Sequence, residues 1–344
     1  MRSGMPVRVT RRARLTVAGV ALAVAGAAVV TAGPAAVGAP GTSALHVTYR
    51  VSLGHLPGFT PTTVAEASDG AVFYARGSVV YVVEGHATPV AAEHTGATVL
   101  AVAANASDLF VESGHTVTEY RRSGGSTVAH WSLSSPQPPT QAGLLLSDGV
   151  VWVWTDWATD ESGFQYATLS RIRLGSPTVH VVSTNAYPGD LDADATALFY
   201  ERQGTTRAYV VRVSPAGTTK RSAPQAQLDA PMAVDGARVV LLAQHGTRGK
   251  TYADSYRITT LAKMSSKLVP QDLAGIADTG AGLLVVVDPC TGLTCAAADV
   301  RTLNPATGAA TGGLAVPHAY DLLKGHRPGV VTLSRGVYTL VRLS

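Results

Sequence analysis

Hydrophobic and polar positions recur along this chain in one repeating block. From residue 58 onward a short apolar run meets an Asp or Asn with a small neighbour, and a second run rich in Val, Phe, Tyr and Leu follows. The Asp or Asn stands at Asp69, Asn105, Asp148, Asp194, Asp235 and Asp278, and an altered copy is centred near Gly325. Successive copies lie 36 to 47 residues apart, the length of one four-stranded unit of a radial β-architecture. The turn residues have a physical reason. A tight hairpin needs positive φ, which Gly, Asn and Asp tolerate best.

Each second run is followed by a third of mixed pattern, as at 78–83, 168–173, 208–213 and 336–341, and then by a more polar fourth, as at 178–182. Nearly continuous apolar runs suit strands packed on both faces, and alternating runs suit strands that meet water on one side. The seventh unit ends after its third run at Ser344. Residues 45–52 alternate like a strand and have no local partner, so they are expected to supply the missing outer strand and close the ring. No helix is predicted after residue 38.

These repeats resemble the β-propeller superfamily over residues 45–344, in the style of bacterial repeat propellers with an Asp-Gly turn and an aromatic strand. The recurring Trp-Asp and Gly-His signatures of WD40 repeats and the double glycine of Kelch repeats are absent. The expected fold is therefore all-β, a seven-bladed β-propeller of four-stranded blades closed by an N-terminal strand, with six or eight blades as the alternatives. The resemblance is specific for architecture and carries no particular activity.

The amino terminus reads differently. Arg2, Arg8, Arg11, Arg12 and Arg14 precede an uncharged run of Leu, Val, Ala and Gly over 15–32, and small residues surround Pro34. This is the layout of a secretory signal peptide at 1–38, with an uncleaved membrane anchor as the alternative, ahead of a single domain at 39–344. The run Thr10-Arg11-Arg12-Ala13-Arg14-Leu15 is close to a twin-arginine signal, and an ordinary basic leader is the favoured reading. The Ala, Gly and Arg-rich style resembles secreted actinobacterial proteins. The net charge of +4 comes from those five arginines; without them 22 basic residues face 23 acidic ones. A basic track for nucleic acid is thereby excluded.

Cys290 and Cys295 are the two cysteines, and in an exported chain their spacing predicts a local disulfide across a short hairpin loop. Candidate chemistry lies in three long connections expected on one rim. In the third unit Trp157, Phe164 and Tyr166 offer flat apolar faces, and Asp156, Asp160 and Glu161 offer acceptors, a mixture suited to a sugar or a peptide. In the fifth, His245 and Arg248 flank a glycine-rich loop; the sixth carries the cysteines. Asp190, Asp192 and Asp194 are spaced like calcium ligands but lack the glycine and distal glutamate of an EF-hand, and Asp194 falls on the repeat's turn position, so a turn is expected. No metal or cofactor is implied. The sequence favours an exported, monomeric, non-catalytic binding or scaffold propeller, with a cell-wall glycan or an envelope protein as partner. The alternative is an extracytoplasmic glycoside hydrolase or lyase whose carboxylates come from different units.

Overall fold

The computed structural model describes residues 45–56, 61–85, 87–134, 139, 141–159, 165–203, 208–222, 231–245, 250–269, 273–279, 282–287, 297–323 and 327–344. The expected signal segment therefore lies outside the described residues.

The chain is a seven-bladed β-propeller of four-stranded antiparallel blades. Strand β1 (Val47–His55) comes first. Blade 1 holds β2 (Val64–Glu66), β3 (Val72–Arg76), β4 (Val79–Val83) and β5 (Val90–His94). Blade 2 holds β6 (Val99–Ala104), β7 (Asp108–Ser113), β8 (Thr116–Arg121) and β9 (Thr127–Ser132). Blades 3 and 4 run through β10 (Ala142–Ser147), β11 (Val150–Thr159), β12 (Gln165–Arg173), β13 (Val179–Asp194), β14 (Ala197–Gln203), β15 (Ala208–Val213) and β16 (Thr219–Arg221). Blade 5 holds β17 (Met232–Asp235), β18 (Arg238–His245), β19 (Lys250–Arg257) and β20 (Lys263–Leu268). Blade 6 holds β21 (Leu273–Asp278), β22 (Leu283–Val287), β23 (Ala297–Asn304) and β24 (Ala309–Pro317). Blade 7 has β25 (Ala319–Leu323), β26 (Gly329–Ser334) and β27 (Val337–Leu343). Its fourth strand is β1, which pairs antiparallel with β27 from Val47 opposite Leu343 to His55 opposite Val337. The expected closing strand is thus in place, from Val47 to His55 where the alternation indicated 45–52.

The turns form as their residues dictate. Gly149 and Gly236 sit at φ 64° and 48° between the first two strands of blades 3 and 5. In blade 4 the Asp194 carboxylate accepts the backbone N–H groups of Thr196 and Ala197 at 2.7 and 2.8 Å. Asn105 does the same for Ser107 and Asp108 in blade 2. Of the Asp-x-Asp-x-Asp run, the side chain of Asp190 lies outside the described residues, and the other two have separate structural tasks. Asp194 caps a turn, while buried Asp192 accepts the N–H of Val234 on the next blade's inner strand at 2.8 Å.

One arrangement departs from the sequence expectation. The outer strand of blade 3 and the inner strand of blade 4 are one strand, β13, so the two blades share a seven-stranded sheet. Ala186 pairs with Ala167 on one side and Arg202 on the other. The ladder with β14 skips from Ala186 to Leu191, a gap holding Pro188, which has no N–H to give it.

Apolar clusters fill the seams between blades. Trp152 and Trp154 are buried on blade 3's face toward blade 4. Trp152 Nε1 donates to Ser147 Oγ, which donates to the Asp194 carbonyl. Trp154 lies over Gly143, its register partner across β10 and β11. A Cβ at position 143 would collide with the indole nitrogen. Gly143→Ala is expected to destabilise the fold by about 1–3 kcal/mol, since the indole is enclosed and has nowhere to retreat; urea unfolding measures it, and a loss within error would show that the indole can move.

Successive strands run antiparallel, so the two ends of each blade differ. The turns after first and third strands share one face, here the turn face. The connections after second and fourth strands share the other, the loop face. The turn face is stitched blade to blade. Trp131 Nε1 donates to the Ser176 carbonyl at 2.6 Å, Arg171 to that of Pro215 at 2.8 Å, and Lys220 to that of Thr259 at 3.1 Å.

Candidate functional site

The loop face carries the connections in which the sequence places its candidate residues. Much of what reads there as loop is strand. Strand β11 continues to Thr159 and β12 starts at Gln165, so only 160–164 connect them. Likewise Gln244 and His245 belong to β18, and Lys250–Tyr252 to β19. Cross-strand pairing carries these polar residues outward as extensions of the apolar core strands. Asp160, Glu161, Phe164, Arg248, Cys290 and Cys295 lie outside the described residues, as do the side chains of Trp157 and Tyr166.

At the blade-three rim Asp156 pairs with Ala167 and Ala158 with Tyr166, which leaves Trp157 as the extra residue of a β-bulge. A bulge bends its strand and re-aims the side chains around it. Asp156 itself is tied down. Its N–H donates to the Gln141 carbonyl at 3.0 Å, and its carboxylate accepts the Gln141 N–H at 2.8 Å. The rim of β11 is thereby fixed to the segment entering β10.

Glu112 lies across the seam, in blade 2. It stands near the loop-face end of β7, fully enclosed, and neither carboxyl oxygen has a hydrogen-bond partner among the described residues. Burial first, and the nearby Asp156 carboxylate second, push its carboxyl up to about 9. Burial removes the solvation that a charge needs and a like charge opposes it, so the neutral acid is the favoured form at pH 7. A buried polar group without a partner costs roughly 1–3 kcal/mol, and such costs concentrate where a protein has a task besides folding.

Two blades further round, His245 joins a second polar cluster. Its Nε2 is 2.9 Å from Oδ2 of Asp254, and its ring meets Tyr252 edge-on at 4.9 Å. Asp254 is buried and also accepts Lys263 Nζ at 2.7 Å and Ser266 Oγ at 2.6 Å. Both carboxylate oxygens are therefore engaged, and the cluster is a satisfied network on blade 5. The structure thus brings Asp156 to Glu112 and His245 to Asp254, and it does not bring the two groups together. Among the described residues no group of three or more His, Cys, Asp or Glu side chains is arranged to hold a metal ion.

Glu112 is the residue that sequence reasoning missed. The signal was a charged position inside an apolar second strand: Leu109-Phe110-Val111-Glu112, repeated in blade 4 as Leu198-Phe199-Tyr200-Glu201. Glu201 is enclosed as well.

No protein-family description matches the chain, and no curated protein resembles it in sequence. Solved structures do resemble it. A chain of the mitotic checkpoint complex superposes with TM-score 0.57 at 12% identity, over 90% of this chain and 99% of that one. The β-propeller domain of Cps50 (Swd1) from Myceliophteria thermophila gives 0.55 at 11%, over 86% and 99%. The WD40 domain of Toxoplasma gondii coronin gives 0.54 at 10%, over 87% and 86%. At such identities the likeness establishes the shared fold, a propeller with WD40-type neighbours, without the WD40 sequence signature.

Proposed function

We propose that this chain is an exported, non-catalytic binding propeller that works outside the cytoplasm and takes a cell-wall glycan or an envelope protein on its loop face at blade 3. The observation that carries the reading is the bulged rim at Trp157, with Asp156 pinned to Gln141 above the enclosed and unpartnered Glu112. A fixed half-exposed carboxylate beside aromatic positions suits hydroxyl-rich ligands, with the carboxylate accepting and the rings stacking. The arginine-rich, apolar N-terminal segment supports export. The turn face, stitched from blade to blade, gives the rim a rigid support. A chain of this fold occurs in a multiprotein assembly, the mitotic checkpoint complex, in keeping with a scaffold role.

The carboxyl pair favours one other reading, a glycoside hydrolase or lyase. A carboxyl held neutral beside a second carboxyl has the chemistry of an acid–base pair. Glu112 is enclosed, however, and touches no open surface, which favours binding. A thermal-shift screen of the purified protein against wall glycans and oligosaccharides tests both. A ligand at a hundred times its Kd stabilises the folded state by about 2.7 kcal/mol. The expected result is a shift that Trp157→Ala with Asp156→Asn removes. A shift that survives both substitutions, or none with any glycan or envelope extract, overturns the site. Cleavage of an oligosaccharide, lost in Glu112→Gln, establishes the hydrolytic reading instead.

A further inference from the structure

A second surface lies away from this rim, in the groove between blades 1 and 2. Blade 1 ends at β5, and among the described residues no strand lies beside its outer edge. The groove, about 660 Å³, runs between β5 and the turn that joins β8 to β9. Its walls include Phe73, Tyr120, Ala91 and Ala92. The edge is unprotected: Val90 is 62% exposed, and no Lys or Pro lies within the strand to deter pairing.

The charges in this groove are unbalanced. Arg122 is engaged. It bonds Asp69 at 2.8 Å and the Asn105 and Ala106 carbonyls at 2.8 and 3.0 Å, and its guanidinium lies 5.0 Å above the Phe73 ring. Arg121 is paired with Asp108 at 2.8 Å. Glu84 and Glu93 line the same groove, and their carboxylates have no hydrogen-bond or ion-pair partner among the described residues. Glu93 is partly buried, and its Oε1 rests where a Cβ at Gly125 would stand, 2.6 Å from that position. The glycine leaves the space that the carboxylate occupies. Burial pushes the Glu93 carboxyl up, and the neighbouring His94 offsets only part of that rise.

We infer that this groove docks an extended basic peptide segment, which adds as a strand to the free edge of β5 and places a Lys or Arg side chain on Glu93. Backbone hydrogen bonds to β5 supply affinity, and the acidic wall with the Phe73 and Tyr120 floor selects the sequence. The surface belongs to the turn face and the outer edge, so it is separate from the site at Trp157 and Asp156.

The test uses a fluorescent nine-residue peptide of alternating Val and Lys. Its controls carry Glu for Lys, or Pro at every second position. Anisotropy gives Kd for the full protein, and hydrogen exchange reports the β5 amides. The Lys peptide is expected to bind, to weaken with salt, and to protect the amides of Val90–His94. Binding is expected to fall about tenfold or more in Glu93→Gln. Gly125→Ala, which displaces the same carboxylate, should act in the same direction. The proline peptide should not bind, and the Trp157→Ala, Asp156→Asn protein should bind the Lys peptide normally. Equal binding of Lys and Glu peptides, an unchanged Kd in Glu93→Gln, or protection elsewhere overturns the inference. So does self-association of the protein that Glu93→Gln abolishes, which would assign the groove to a second copy.

Discussion

Replacing Arg342 by methionine is expected to destabilise the propeller by roughly 3–5 kcal/mol, the usual loss when one partner of a buried ion pair is removed. Arg342 lies on β27 of blade 7, and its guanidinium bonds Glu66 on β2 of blade 1 at 2.8 and 3.2 Å. Its Nη1 also donates to the Arg327 carbonyl at 3.0 Å. The two side chains are 2% and 0% exposed, so water cannot replace the lost partner. This pair spans the seam where the last blade meets the first, which the chain crosses only from β1 to β2, and β1 is itself held to blade 7 by pairing with β27 rather than by a covalent turn. The other fastening is β1, whose Val51 and Leu53 are buried against blade 7 and blade 1. The stability loss should thus appear as opening of the first and last blades. Equilibrium urea unfolding measures the energy, and hydrogen exchange at β2 and β27 places it. Glu66→Leu with Arg342→Met should recover most of the loss, because two apolar side chains of similar volume leave no buried charge. A single variant that loses less than about 1 kcal/mol, or a double variant as unstable as the single, would show that this ion pair does not hold the ring closed.

The architecture was legible in the sequence because propeller turns demand particular chemistry. Asp69, Asn105, Asp148, Asp194, Asp235 and Asp278 mark the first turn of each of six blades, and the solitary alternation of 45–52 betrayed the closing strand. The continuity of β13 was hidden. Tyr187-Pro188-Gly189 reads as a break, yet the chain stays extended between Ala186, where the pairing with β12 ends, and Leu191, where the pairing with β14 resumes. The rim was half legible. Asp156 stands out as a polar residue after Val150–Thr155, but the same polarity made a paired strand look like a loop. Glu112 was not legible as a site residue, because its neighbour across the seam lies in another blade and no spacing rule links the two. The role of His245 was also invisible, since Asp254 and Ser266 are ordinary polar residues of outer strands until the sheet aligns them.

The stability of the protein is expected to fall as pH rises from about 5 to about 9, through Glu112 alone by several kcal/mol. The direction follows from the two states. In the unfolded chain a glutamate loses its proton near pH 4.3. In the folded protein burial and Asp156 hold the Glu112 carboxyl up to about 9. Between these values the folded state keeps a proton that the unfolded state has released, so raising pH favours unfolding. The slope is about 1.4 kcal/mol per pH unit while one proton separates the states. Below the unfolded value both states are protonated and the penalty is absent; above the folded value both are ionised and the loss levels off. Other groups titrate in this range, so the informative quantity is the difference between the protein and Glu112→Gln, whose amide does not titrate. That difference should decline with pH in favour of the variant, and urea unfolding at half-unit intervals measures it. Asp156→Asn removes the second cause of the shift and should move the upper end of the decline to lower pH. A difference that stays flat from pH 5 to 9 would mean that Glu112 ionises near its ordinary value. The rim of blade 3 would then hold a solvated carboxylate in place of an enclosed acid, and the strain argued for that site would be gone.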